Sequence, residues 1–161
     1  MKDRLLKNYR VHWDHVKSYL SPQKSFAAIQ RIVDNNQPSF HHSPLEDIAS
    51  ILCEGRHYSW VGIYLTLDKH TSSPLLETAV HPAHVAVPGT RKKVLVAIKI
   101  AGRELGFLNV ESESEHALGP EDRVLLESVA DLLARFLAGP GKYLVLKAAK
   151  PPAPSPKAAA A

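Results

Sequence analysis

The sequence predicts an α+β domain: an antiparallel sheet of about five strands flanked by helices, with extra helices on the N-terminal side. Three observations carry this. Val94, Val96, Ile98 and Ile100 alternate with Leu95, Ala97 and Lys99, the period-2 pattern of a buried strand that stays apolar on both faces until Lys99. Ala101-Gly102-Arg103 then supplies a residue that tolerates positive φ. Glu104 to Glu111 resumes with Leu105 and Phe107 on one face and Leu108 and Val110 on the other, which makes a β-hairpin. Finally, Gly119-Pro120-Glu121-Asp122 opens a helix, with proline at the first helical position and two carboxylates where the helix dipole favours them. Leu125, Val129, Leu132, Leu133 and Phe136 recur at helical spacing until Gly139-Pro140-Gly141 stops it.

The preceding elements follow the same rules. Leu6, Tyr9, Trp13, Val16 and Leu20 recur three and four apart, giving an amphipathic first helix whose stripe spans about 21 Å at the helical rise per residue. Ser21-Pro22 stops it and caps a second helix with Phe26, Ile29, Ile32 and Val33 on its apolar side, ending around Asn35-Asn36-Gln37-Pro38. Ser43-Pro44-Leu45-Glu46 reads as a capping box opening a third helix, with Leu45, Ile48, Ala49 and Leu52 as its stripe. Trp60–Leu67 is the first clear strand and Leu75–Val80 a second. The connection from Val80 to Arg91 has two prolines and a glycine and little regular structure. Tyr143–Leu146 fits either a short extra strand or a helix extension. Three regions result: a helical extension over 1–40, a domain over 41–140, and a basic Pro/Ala/Lys-rich tail over 141–161. The composition of this tail predicts disorder.

The pattern V.V.I...G..LG.L.V.S.....L.PED..LLE..A..LA..L, from Val94 to Leu137, resembles the C-terminal half of a GAF domain. Trp60-Val61-Gly62-Ile63-Tyr64-Leu65 resembles its early central strand. The resemblance covers roughly half of the chain and implies an antiparallel sheet with the third helix packed beneath it. Its matching positions are core and turn residues, which specify fold rather than chemistry. The Trp60–Leu65 strand is also similar to that of the free methionine sulfoxide reductase branch, whose members work through cysteines in the central segment. This chain has a single cysteine, Cys53, ahead of the sheet. A bilin-attaching central cysteine and the Asn-Lys…Phe…Asp-Glu pattern of cyclic-nucleotide-binding relatives are likewise missing. The segment Asp68–Lys92, where ligand-binding relatives build a lid, is short.

Composition bounds the remaining classes. At 161 residues and 45% hydrophobic content, one domain of ordinary size is expected. No apolar run approaches membrane-span length and the first residues lack the apolar core of a signal peptide, so a cytoplasmic protein with no membrane partner is predicted. One cysteine excludes an internal disulfide framework and a CxxC metal site. The net charge of +4 owes much to Lys142, Lys147, Lys150 and Lys157. With no basic stripe interleaved with aromatics, nucleic acid is not a predicted partner.

No catalytic residue, cofactor or metal site is predicted. His81 and His84 on the short connection offer two imidazoles but read as exposed loop histidines, as do His12, His15, His41 and His42. Glu111, Glu113, Glu115 and His116 match no cation loop and read as a solvated surface. Should a ligand bind, its candidate residues are Trp60, Tyr64, His81 and His84. The candidate interaction surface is Leu6, Tyr9, Trp13, Val16 and Leu20, serving a homodimer or a signalling-protein partner, in line with the helical pairing that the GAF resemblance implies; packing of the stripe on the domain's own sheet or helix is the equal alternative. The predicted function is a non-enzymatic regulatory module acting through protein interaction or homodimerisation in signalling. A small-molecule sensor binding its ligand against the sheet face is the alternative, and a methionine sulfoxide reductase-like enzyme is third.

Overall fold

Ser21 opens the first helix of the computed structural model, which describes residues 19–39, 41–66, 72–79, 92–113 and 118–149. Of the apolar stripe of the predicted first helix only Leu20 falls within them; Leu6, Tyr9, Trp13 and Val16 lie outside. Helix α1 (Pro22–Asp34) has Pro22 in its first turn and Ser21 as N-cap, whose Oγ accepts the Lys24 N–H at 3.2 Å. Its far end is closed by Asn35, whose side chain donates to Arg31 O at 2.9 Å. Ile29 is fully buried and Phe26, Ile32 and Val33 partly so.

Helix α2 (Pro44–Arg56) starts where the sequence placed it but is capped differently. Ser43 Oγ accepts the Leu45 N–H at 3.3 Å. The Glu46 carboxylate, expected to close a capping box, instead lies 3.3 Å from Nδ1 of His42. His42 Nε2 pairs with Asp47 at 2.8 Å, and both acids also sit in the first helical turn, where the positive end of the helix dipole favours their charge. The hydrogen bond to Asp47 raises the His42 pKa above its ordinary 6.5, against the opposing effect of partial burial and with help from the two negative charges. A raised histidine pKa stabilises the fold fully below about 6.5, and this contribution disappears as pH rises through the folded-state value. Titration of the His42 ring protons by NMR is expected to give a midpoint above 6.5 that falls back towards it in Asp47→Asn.

Strands β1 (Trp60–Thr66), β2 (Ser72–Ala79), β3 (Lys92–Ile100) and β4 (Arg103–Ser112) form one antiparallel sheet in the order β2-β1-β4-β3. About five strands were expected and four are present among the described residues. The Ala101-Gly102 turn between β3 and β4 has positive φ at both residues, 50° and 76°, the arrangement that matches the right-handed strand twist in a two-residue hairpin. β3 was expected to be buried on both faces. Among the described residues it is instead an outer strand: Val96 and Ile98 are buried while Leu95 is 56% exposed.

Helix α3 (Pro120–Ala138) crosses the same sheet face as α2, and helix α4 (Lys142–Ala149) follows it after a tight turn. Of the two forms open to Tyr143–Leu146 the chain takes the helix, so the tail expected from residue 141 is ordered over Lys142–Ala149. Its Tyr143 hydroxyl accepts Asn36 Nδ2 at 3.2 Å. The core lies between the helices and the face bearing Val61, Ile63, Val96, Ile98, Leu108 and Val110, filled by Ile48, Leu52, Leu126, Val129 and Leu133. Burying each such side chain contributes about 1.5–3 kcal/mol. Among the described residues no helix is long and apolar enough to cross a membrane.

Candidate functional site

Alternation along each strand sends the other half of the sheet's side chains to the face away from α2 and α3. In β1 these are Trp60, Tyr64 and Thr66, with Gly62 between the two aromatics. Register places Phe107 opposite Tyr64 and Asn109 opposite Gly62 on β4, then Ala97 and Leu95 beyond them on β3.

The rings make one connected surface. Tyr64 and Phe107 stack at 4.7 Å between centroids, tilted by 14°, and Trp60 lies 6.2 Å from Tyr64. Both β1 rings lean over Gly62: a Cβ there would lie 2.8 Å from Cε2 of Tyr64 and collide with the Trp60 ring. The absence of a side chain at Gly62 is therefore what allows the arch. Beside it, Asn109 is 6% exposed, and its Oδ1 is buried without a hydrogen-bond partner. A buried carbonyl left unpaired costs about 1–3 kcal/mol, a cost usually met where a ligand or ordered water supplies the donor.

A second polar cluster lies at the opposite end of α2, on the core side. Arg56 is 1% exposed. Its Nη2 and Nε donate to Asp122 Oδ1 at 2.7 and 3.1 Å, and its Nη1 donates to Leu20 O at 2.8 Å. The Tyr58 hydroxyl donates to the same Asp122 oxygen at 2.5 Å, and Asp122 Oδ2 accepts the Gly119 N–H at 3.0 Å, closing the N-terminus of α3. Burial, followed by the Asp122 hydrogen bond and charge, pushes the Tyr58 phenol well above its ordinary value and keeps it a donor. Burial alone would lower the Arg56 pKa, but the bonds and charges of Asp122 and Tyr58 outweigh it and raise the value. Every strong group here has a protein partner, so this cluster is architecture rather than a vacant site.

Cys53 belongs to the core, 5% exposed on α2. Burial, with a smaller effect from Glu54, pushes its thiol up to about 12. It is a protonated side chain at neutral pH, and it lies across the sheet from the aromatic face. Among the described residues no group of three His, Cys, Asp or Glu side chains is placed to hold a metal.

Of the predicted ligand residues, Trp60 and Tyr64 share one face within contact distance, while His81 and His84 lie outside the described residues. Leu20, predicted for the interaction surface, is half-buried on Gly55 of its own chain. Phe107, Asn109 and Gly62 were not anticipated as site residues. The signal was available in part: alternation puts Gly62 on the face of Trp60 and Tyr64 and sets Phe107 with Asn109, a polar residue flanked by Leu108 and Val110, but only the register of β4 on β1 joins the two sets.

This domain is thus an antiparallel sheet covered on one face by helices, with an aromatic opposite face. Its fold is that of GAF domains. The GAF domain of a phosphoenolpyruvate-protein phosphotransferase from Coxiella burnetii is similar with a TM-score of 0.56 at 16% identity, over 76% of this chain and 96% of that one. The free methionine-R-sulfoxide reductase from Neisseria meningitidis, determined with its substrate, is similar with a TM-score of 0.56 at 18% identity, over 76% and 91%. The corresponding GAF domain from Acinetobacter gives 0.55 at 11% identity, over 76% and 96%. No protein-family profile and no curated protein matches the sequence.

Proposed function

We propose that this domain is a non-enzymatic regulatory module whose regulated element is the aromatic sheet face, where it takes up a small molecule. The observation that carries the reading is the buried, unpartnered Oδ1 of Asn109 beside the Trp60, Tyr64 and Phe107 rings. A ligand that fits this face has an apolar or planar body to lie against the rings and an N–H or O–H to donate to Asn109. The likeness to GAF-fold proteins, one of them determined with its substrate bound, adds support at the level of the fold.

The protonated, buried Cys53 supports a binding role over a thiol-based reductase, because a thiol nucleophile needs a lowered pKa and access to the substrate. Action through a homodimer or a signalling partner remains the broader setting of this reading, with ligand uptake as its input.

The test is native mass spectrometry of the protein purified from its own host. A stoichiometric small-molecule adduct is expected, and Gly62→Val, which forces the Trp60 and Tyr64 rings apart, is expected to cut the bound fraction about tenfold, equivalent to about 1.4 kcal/mol. A wild-type chain that carries only its polypeptide mass, and gains none when offered a metabolite extract, overturns the ligand reading.

A further inference from the structure

The chain arrives at α1 through Tyr19 and Leu20, and the C-terminal end of α2 holds both. Leu20 N–H donates to Gly55 O at 2.8 Å and Leu20 O accepts Arg56 Nη1 at 2.8 Å. The Arg56 guanidinium carbon lies 4.2 Å from the centre of the Tyr19 ring, which also stacks on His57 at 5.4 Å. The fit at Gly55 is close: a Cβ there would be 2.9 Å from Leu20 Cδ1. The other bonds of Arg56 run to Asp122 Oδ1, and Asp122 Oδ2 holds the first N–H of the α3 cap at Gly119.

A guanidinium presents its donors in one rigid plane. Arg56 therefore cannot follow a displaced Leu20 carbonyl without turning Nε and Nη2 away from Asp122. Nor can it hold its place without leaving a buried N–H unpaired. Displacing Asp122 has the mirror consequence at Leu20.

We infer that Tyr19-Leu20 is a strap coupled through Arg56 to the start of α3, so that the point where the preceding chain joins the domain and the N-terminus of α3 loosen and tighten together. A coupling of this kind is reciprocal: what α3 does to the strap, the strap does equally to α3. It gives the chain ahead of Tyr19 a direct hold on the helix that closes the fold, bypassing the sheet.

Amide hydrogen exchange on the full chain tests this with one variant at each end of the path. Gly55→Val displaces Leu20 without touching a charge. It is expected to speed exchange of the Leu20 and Gly119 amides about tenfold each, with Ile63 and Leu108 in the sheet unchanged. Asp122→Asn, at the α3 end, is expected to speed the Leu20 amide by a similar factor. Faster exchange at Leu20 with Gly119 unmoved in Gly55→Val overturns the coupling, as does an unaltered Leu20 in either variant. Equal acceleration of Ile63 and Leu108 in Gly55→Val overturns it too, since the cluster would then be a part of the global core and not a local strap.

Discussion

Asp122→Ala is expected to lower the free energy of unfolding by about 3–5 kcal/mol, because it removes one member of a buried ion pair and strands the other. Arg56 would keep its charge at 1% exposure with the Leu20 carbonyl and the neutral Tyr58 hydroxyl in place of a carboxylate. The Tyr58 hydroxyl and the Gly119 N–H would lose their acceptors as well. A loss of this size lowers the thermal midpoint by on the order of 10 °C for a chain of this length. Denaturant titration checks it: the midpoint should drop with an unchanged slope. Tyr58→Phe, which removes the hydroxyl's hydrogen bond to the Asp122 carboxylate and its contact with Arg56, is expected to cost about 1.5–3 kcal/mol. Equal stability of Asp122→Ala and wild type would mean that water enters the cluster and replaces the carboxylate.

Gly106→Ala is expected to be the most damaging of the glycine substitutions in the sheet. Gly106 pairs with Leu65 across β4 and β1, and a Cβ there would overlap the backbone carbonyl of Tyr64. Neither partner is a side chain that can rotate away, so the two central strands must separate locally, at a cost of about 3 kcal/mol. The strand that gives way is the one carrying Tyr64, so the near-ultraviolet circular dichroism of the Tyr64–Phe107 stack should weaken along with the thermal midpoint. Gly102→Ala makes a useful contrast. A Cβ at Gly102 meets nothing, and only the positive φ of 76° opposes it, for which about 1 kcal/mol is expected. Similar losses in both variants would mean that backbone conformation, not the approach of the strands, makes glycine necessary at Gly106.

Local signals in the sequence carried the helices and the hairpin because the responsible interactions are themselves local. Ser21-Pro22, Pro44 and Pro120 mark helix starts within a residue of those found, and Ala101-Gly102 marks the turn between β3 and β4. The errors arose where a longer-range choice decided. Glu46 turned to His42 because an imidazole lay within reach, a competition that a four-residue capping motif does not contain. β3 read as buried because Leu95 and Ala97 are apolar, yet its position at the outside of the described sheet leaves Leu95 largely exposed. For the candidate site, Trp60 and Tyr64 were legible from the strand motif. Phe107 and Asn109 required the register of β4 on β1, which pairs residues more than forty positions apart. Arg56 and Asp122 are further apart still, 66 positions in sequence. Asp122 was read as a carboxylate favoured by the helix dipole, and nothing near it in the chain announces that it also neutralises a buried arginine.

Within the described sheet β3 is an outer strand, and its own side chains bear on how copies of this domain can assemble. If two β3 strands lay side by side antiparallel, in the register centred on Val96, Lys93 of each copy would face Lys99 of the other on the same side of the joined sheet. Both lysines are exposed, and like charges placed directly opposite disfavour the pairing. Lengthening the sheet into a continuous two-molecule ribbon in that register is thus opposed by the strand's own side chains.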